Sequence, residues 1–160
     1  MSEAAAKAFE LFKADVGNDE GTGEWFEVTQ EQVNQFADLT HDHQFIHVDP
    51  ERAKDTPFGG TIAHGFLTLS MLTHLSKGAS SAEADPGKYE GLMMGVNYGF
   101  NKVRFVSPVK VGSRIRARAV TANVELKGSA IEVTRSFTVE IEGEDKPALV
   151  ADWITRMFYA

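Results

Sequence analysis

The chain has 160 residues, which is the size of one domain with a well-buried core. Hydrophobic residues make up 42% of it and charged residues 24%, proportions that are typical of a globular protein and exclude a disordered or fibrous one. The formal net charge of -7 makes nucleic acid and anionic membranes unfavourable partners, because the average surface repels phosphate groups. The absence of cysteine excludes disulfides, a thiolate nucleophile and thiolate-bound zinc.

The N-terminal segment predicts an amphipathic helix over residues 3–16. Apolar side chains recur there every three or four residues, and Gly17 follows at the position of a C-terminal cap. Glu and Lys residues within the first twelve positions make the segment unlike an export signal. No stretch approaches the roughly 18 consecutive apolar residues of a membrane-spanning helix. We therefore expect a cytoplasmic protein.

The segment after this helix predicts short elements and then an irregular stretch. Gly, Asp and Glu in residues 17–23 favour a loop, which leads into a short strand. Thr29, followed three residues later by Gln32, is a capping-box pattern that begins a second helix. Regular periodicity stops over residues 40–62, apart from a short helix near 50–54 that begins with proline. We interpret this irregular stretch as a loop that carries function.

The second half of the chain predicts one buried helix and an antiparallel sheet. Residues 65–77 are apolar on nearly every side, as in a helix that is buried all round. Later in the chain apolar and polar side chains alternate, which indicates half-buried strands separated by turn-forming residues. Because helices and loop come first and long strands follow, we predict an α+β domain in which an antiparallel sheet curls over the one buried helix.

An ionisable cluster occupies residues 40–50, and a glycine-rich run follows at residues 59–65. Asp42 and His47 offer a carboxylate and an imidazole, whose proton affinities can lie on either side of neutral pH, as general acid/base chemistry on water requires. Histidines near a helix end can equally cap carbonyls or face solvent. The glycines ahead of a helix can expose backbone N–H groups to an oxyanion, or can form only a turn. The residues alone leave these alternatives open.

Three stretches of the chain carry a longer pattern. The first two are Phe36-Ala37-x-Leu39-Thr40-x-Asp42-x-Gln44-x-Ile46-His47-x-Asp49-Pro50-Glu51-Arg52-Ala53 and Phe58-Gly59-Gly60-Thr61-Ile62-Ala63-His64-Gly65-Phe66. The third is Asn97-Tyr98-Gly99-x-Asn101-Lys102-Val103-Arg104-Phe105-x-x-Pro108-Val109-x-x-Gly112. Together they resemble the MaoC-like family of (R)-specific enoyl-CoA hydratases, whose motif runs Asp-x-Asn-Pro-Leu-His. Gln44 and Phe45 replace Asn and Pro, as is typical of the NodN-like branch of that family.

The resemblance implies a single hot-dog domain over residues 1–160, with the sheet wrapped around the central helix. It implies that Asp42 and His47 hold one water molecule and exchange protons with it. The backbone N–H of Gly65 is expected to stabilise the negative charge on a thioester oxygen. No cofactor and no metal are expected, since coenzyme A is part of the substrate, and the domain is expected to form a homodimer. Further substrate contacts are expected from Gln44, Phe45, His64 and Thr73.

The activity that the resemblance implies is the reversible (R)-specific hydration of a trans-2-enoyl-CoA to an (R)-3-hydroxyacyl-CoA, a hydro-lyase reaction. Three alternatives stay open. They are dehydration of a 3-hydroxyacyl thioester of a carrier protein, hydrolysis of a thioester on the same fold, and non-catalytic binding of acyl thioesters. His41 supports the last alternative, because the family usually has a small residue, often Gly, just before the catalytic Asp.

Overall fold

A single antiparallel sheet of six strands forms the body of the protein in the computed structural model, which describes residues 2–79 and 85–160. The order across the sheet is β1-β4-β5-β6-β3, and β2 also pairs with β4. Every pairing is antiparallel, which confirms the predicted α+β class. In chain order the strands are β1 (Asp19–Thr22), β2 (Phe26–Glu27), β3 (Leu92–Phe105), β4 (Arg114–Lys127), β5 (Ala130–Ile141) and β6 (Leu149–Tyr159).

Over most of their length β4 and β5 alternate buried side chains with more accessible ones, as the sequence predicts, whereas β3 is exposed almost throughout. β4 and β5 form a tight hairpin in which Lys127 pairs with Ala130, and Gly128 takes a left-handed conformation with φ +63°. The segment 17–23 was predicted as a loop, and that prediction is wrong over β1. These polar residues form a strand because the edge of β4 offers its backbone groups to them, which outweighs their low strand propensity.

Six short helices surround one face of the sheet. They are α1 (Glu3–Ala14), α2 (Gln30–Thr40), α3 (Phe45–Val48), α4 (Pro50–Ala53), α5 (Gly65–Ser70) and α6 (Leu72–Leu75). Two 3-10 turns, Ser76–Gly78 and Pro86–Lys88, follow α6 and precede β3. Within the described ranges, no helix combines the length and the apolar composition needed to cross a membrane.

The central helix, α5 continued by α6, packs on the middle of the sheet, with Leu72 and Leu75 in the core. The prediction that it is buried on every side is wrong for the single chain. Phe66 is 68% exposed, although one side of its ring meets the ring of Phe105, with the ring centres 5.8 Å apart.

The N-terminal helix α1 packs on the same face of the sheet as the central helix. Successive side chains of a strand point to opposite faces, so the odd-numbered residues of β5 all lie on one face. Among them Ile131 and Val133 contact α1, and Phe137, Val139 and Ile141 belong to the cluster around the central helix. The helix begins and ends close to the predicted bounds, but its C-cap is Asp15 rather than Gly17, which lies two residues farther on and has a positive φ.

A buried ion pair lies on this face between α1 and the central helix. Arg135 donates through Nε to both carboxylate oxygens of Glu20, at 2.9 and 3.1 Å, and the Glu20 side chain is only 1% exposed. The hydroxyl of Thr121 donates to the same carboxylate. The one charged residue that interrupts the apolar face of β5 is therefore compensated by a partner from β1.

Candidate active site

The segment between α2 and α5 carries the predicted site. Helix α2 begins at the expected capping box, in which Thr29 and Gln32 each hydrogen-bond the other's backbone N–H. It ends at His41, which has φ +60° and ψ +22° and is the only residue other than glycine with positive φ in the described part of the chain. This left-handed residue changes the direction of the backbone at the end of α2, and Asp42 is the next residue along the chain.

The conformation of His41 is one that favours a residue without a Cβ. A left-handed conformation costs a residue with a Cβ about 1–2 kcal/mol, and glycine adopts it without that strain. The side chain of His41 is exposed. A histidine at this position therefore adds backbone strain to the turn.

His47 lies in α3 and is 7% exposed. Its Nδ1 lies 2.7 Å from the carbonyl oxygen of Ile62. A carbonyl oxygen only accepts hydrogen bonds, so Nδ1 carries the proton and Nε2 presents a lone pair. Burial lowers the pKa of His47 below its ordinary value; the bond to Ile62 and the charge of Asp42 oppose that shift, and His64 adds to it. The ring is therefore held as a neutral proton acceptor near neutral pH.

His64 is 3% exposed and lies against both predicted catalytic residues. Its ring stacks on His47 with the ring centres 3.8 Å apart and the planes inclined by 25°. Its Nε2 donates to the backbone carbonyl of Asp42 at 2.9 Å. Phe36 covers the ring as well, at 5.1 Å between centres.

The side chains of Asp42, His47 and His64 converge. One nitrogen or oxygen atom from each lies within 4.8 Å of those of the other two. A water molecule that hydrogen-bonds two groups at about 2.8 Å can join atoms up to about 5.6 Å apart. Asp42 and His47 can therefore contact one shared water, on the side where the Asp42 carboxylate, 54% exposed, reaches solvent.

The same three side chains could be taken for a metal site, but their orientation does not fit one. The lone pairs of an imidazole lie in the plane of its ring, and two nearly parallel rings 3.8 Å apart cannot both direct a lone pair at one ion about 2.1 Å away. Moreover, Nδ1 of His47 and Nε2 of His64 already donate to backbone carbonyls. The arrangement fits hydrogen bonding to water better than metal ligation.

Gly65 begins α5 directly after His64. The first amide groups of a helix have no acceptor within the helix, so the Gly65 N–H is available to a ligand. A Cβ at this position would lie 3.0 Å from the ring of Phe105, so a larger residue here would require that ring to shift. Gly65 and His47 lie together on a cleft of about 310 Å³ whose wall is largely apolar, with contributions from Phe58, Ile62, Phe105, Val106 and Pro108.

The remaining predicted residues lie at different distances from this cleft. Gln44 is exposed and precedes α3, and its backbone N–H makes a long bond of 3.4 Å to the Asp42 carboxylate. Phe45 is half-buried beneath the guanidinium of Arg52, 4.3 Å from the ring centre. Thr73 does not lie on the cleft: it donates to the carbonyl of Ser70 and lines a separate hollow beside β3.

Two groups that shape the site were not predicted. The carbonyl of Ile62 sets the tautomer of His47, and the ring of Phe105 forms a wall of the cleft. The type of residue at position 62 does not reveal which group its backbone carbonyl contacts. Phe105 lies within the third patterned stretch of the sequence, and that stretch was the one available signal for it.

Comparisons with known proteins agree with this geometry. The family described as "MaoC like domain" matches residues 12–142. The chain is 52% identical over 152 residues to Nodulation protein N of Rhizobium leguminosarum bv. viciae, covering 91% of each chain. It is 49% identical over 144 residues to 3-hydroxyacyl-thioester dehydratase Z of Mycobacterium tuberculosis, covering 89% of this chain and 91% of that protein.

Among solved structures, the (R)-hydratase of A. caviae has the same fold, with a TM-score of 0.66 at 23% identity over 88% of this chain and 94% of that one. That likeness confirms the predicted hot-dog arrangement of sheet and central helix. The fold and the matches over most of the sequence lead to one assignment: the chain belongs to the MaoC-like dehydratase family.

Proposed function

We propose that this protein catalyses the reversible, (R)-specific addition of water to a trans-2-enoyl-CoA thioester, giving the (R)-3-hydroxyacyl-CoA. The observation that carries the proposal is that Asp42 and His47 lie within reach of one water molecule, beside the free amide of Gly65 and an apolar cleft. Relatives named as a 3-hydroxyacyl-thioester dehydratase and an (R)-specific enoyl-CoA hydratase support the same chemistry.

The proposed reaction uses these groups in one sequence. Asp42 and His47 hold the water and remove one of its protons while the oxygen attacks the β-carbon of the enoyl group. The electron pair of the double bond moves toward the carbonyl, and the negative charge that forms on the thioester oxygen is stabilised by the Gly65 N–H. The acid/base pair then returns a proton to the α-carbon, so that one water is added in total. No cofactor and no metal are required.

In the proposed reaction, the proton that is removed is assigned to Asp42 and His47 together rather than to one of them. Positioned acid/base groups typically contribute on the order of 10² to 10⁴ in rate. One oxyanion donor contributes about 10² to 10³.

The experiment follows the loss of enoyl absorbance with crotonyl-CoA and with the crotonyl thioester of a carrier protein. We expect the wild-type protein to consume one or both, and Asp42→Asn to lower kcat by about 10² to 10⁴ without changing the thermal unfolding midpoint. Asp55→Asn is the matched control, since Asp55 is an exposed carboxylate in the same segment, and it should keep the wild-type rate. An unchanged rate in Asp42→Asn would contradict the mechanism.

The second candidate function is dehydration of a 3-hydroxyacyl chain on a carrier protein by the same residues, and the crotonyl carrier-protein thioester is the substrate of the reverse reaction. The name of the mycobacterial relative specifies a 3-hydroxyacyl thioester without naming its carrier. A kcat/KM at least tenfold higher with the carrier-protein substrate would favour this function over the CoA-dependent one. Release of free thiol without loss of the double bond would instead indicate thioester hydrolysis, and binding without turnover would indicate a non-catalytic domain.

We also propose that the protein acts as a homodimer that forms along β3. This 14-residue strand lies at the edge of the sheet, where it presents unpaired backbone groups. It also carries a row of exposed apolar side chains, and Phe66 of α5 is exposed as well. A second copy of the same strand supplies complementary backbone groups and apolar surface. The exposed apolar side chains of β3 are Met93, Met94, Val96, Tyr98, Phe100 and Phe105.

Sedimentation equilibrium tests the dimer. We expect the wild-type protein to sediment as a dimer, and Val96→Lys to shift it toward the monomer because a charge at the edge of a sheet opposes strand pairing. Glu125→Lys on β4, whose side chain is exposed on an interior strand of the sheet, is the control and should leave the dimer intact. A wild-type monomer at micromolar concentration would contradict the proposal.

A further inference from the structure

In the described part of the chain, His64 is the one ionisable side chain that contacts both members of the acid/base pair and is itself almost fully buried. It occupies the N-cap position of α5 without a side-chain capping bond and directly precedes the oxyanion donor Gly65. Its Nδ1 is a buried polar atom without a hydrogen-bond partner among the described residues. Burying a polar atom without a hydrogen-bond partner lowers the stability of the fold, so we expect the histidine to have a functional role.

The contact with Asp42 fixes backbone position. Nε2 of His64 must be the protonated nitrogen, because its partner is a carbonyl oxygen at 2.9 Å. This bond ties the first residue after the left-handed turn at His41 to the beginning of α5. Without it, the Asp42 carbonyl would be left unpaired, and the turn would be held only by the exposed segment around it.

The contact with His47 fixes the orientation of a ring. The His47 ring makes one hydrogen bond, from Nδ1 to the Ile62 carbonyl, and the ring can still tilt about this hydrogen bond. His64 lies flat against one face of that ring at 3.8 Å, and Phe36 lies against His64 in turn. The stack therefore limits the tilt and with it the direction of the His47 Nε2 lone pair.

We propose that His64 is a positioning residue, which holds the Asp42 backbone and the His47 ring so that both groups reach the same water molecule. The proposal rests on the proposed hydratase function and adds to it a residue that need not touch substrate. A displacement of about 1 Å in a catalytic group can lower a rate by about 100-fold. Loss of either contact should therefore lower kcat while KM stays nearly constant.

Two substitutions separate the contacts. His64→Phe keeps a flat ring against His47 and removes the donor to Asp42, whereas His64→Gln keeps an N–H donor and removes the ring. We expect each to lower kcat for crotonyl-CoA by about 10- to 100-fold with KM within about twofold. His74→Gln is the matched control, because His74 also lies in the central helix and contacts an aromatic ring, Phe26, but lies away from the acid/base pair.

A second measurement does not depend on turnover. In the full-length protein, the ring-nitrogen chemical shifts of His47 report its tautomer and its titration midpoint. His64 lowers the pKa of His47 and Asp42 raises it, so replacing His64 by an uncharged residue should raise the midpoint. His64→Phe should show the raised midpoint, and His74→Gln should not.

The outcomes are separable. An unchanged kcat in both folded His64 variants, or a loss confined to KM, would overturn the positioning role. If the wild-type protein turned over no thioester at all, the hydratase function would fail on its own. The positioning role would then be judged by the ring-nitrogen chemical shifts of His47, and their insensitivity to the loss of the stacked ring in His64→Gln would overturn it.

Discussion

The face of the sheet that packs against α1 and the central helix has two ends, which differ in their buried polar groups. At the end covered by α1, the sealed end, the buried charges of Arg135 and Glu20 are paired, and Phe12 packs at the centre of an apolar cluster. At the end that carries Asp42 and His47, the open end, an apolar cleft remains and His64 keeps a nitrogen without a partner.

The difference shows which of the two ends is optimised for stability. Folded chains normally satisfy buried polar groups and avoid strained conformations, and they depart from both rules mainly at functional sites. The Arg135–Glu20 pair of the sealed end follows these rules, and the open end departs from them at His64 and at the left-handed His41. Substitutions at the sealed end should therefore change stability alone. Substitutions at the open end should change activity and can even increase stability.

The largest effect is expected from breaking the ion pair of the sealed end. In Glu20→Gln the buried Arg135 loses its counter-charge, and removing one partner of a buried pair typically costs about 3–5 kcal/mol. Urea unfolding followed by circular dichroism measures this loss. The kcat of the folded variant should match that of the wild-type protein, because Glu20 lies outside the cleft.

Glu142→Gln is the control for that substitution. Glu142 pairs with Arg114 on the outer side of the sheet, where both side chains are about half exposed, so its loss should cost at most about 1 kcal/mol. Equal losses in the two variants, or a kcat that falls with Glu20→Gln, would contradict the division between a sealed and an open end.

A smaller effect is expected from pH at the open end. Because burial lowers the pKa of His47 from its ordinary value of 6.5, the midpoint of the decline of kcat/KM toward acid pH should lie below 6.5. Below the folded-state pKa the decline should approach about tenfold per pH unit. A profile of kcat/KM against pH measures this limb, and a midpoint above 6.5 would contradict the burial of a neutral His47.

The same shift has a consequence for stability. Between pH 6.5 and the lower folded-state value, the unfolded chain binds a proton at this histidine that the folded chain does not. The contribution of His47 to the free energy of unfolding is therefore present above pH 6.5 and is lost as the pH falls toward the folded-state pKa. Below that pKa it falls no further.

Much of the fold could be predicted from local patterns. Period-two alternation identified β4, β5 and β6, and the capping box placed the beginning of α2, because both signals depend on neighbouring residues alone. β1 could not be predicted, since its polar residues form a strand only by pairing with β4, nearly a hundred residues later. The exposed side of the central helix was also missed, because a single sequence does not say which apolar surfaces another molecule covers.

The candidate site was predictable to a similar degree. Asp42 and His47, which the structure brings together, lie within one patterned stretch and could be named together, and Gly65 follows in the next. The role inferred for His64 depends on contacts with Phe36 and with the Asp42 carbonyl, which are distant in the sequence. The sequence also showed that His41 departs from the family, but the reason lies in a backbone angle that only the structure provides.

That angle leads to the smallest effect. His41→Gly removes the strain of the left-handed conformation, which is about 1–2 kcal/mol. The greater freedom of glycine in the unfolded chain opposes this gain and destabilises the folded protein by about 0.5–1 kcal/mol. We expect the variant to be more stable by about 0.5–1 kcal/mol, seen as a higher urea midpoint with an unchanged slope. His43→Gly is the control: His43 lacks the positive φ and pairs with Asp38, so the same replacement should lower the midpoint. If His41→Gly lowered the urea midpoint as well, the His41 ring would be stabilising the turn. Backbone strain at His41 would then not be a cost to the stability of the open end.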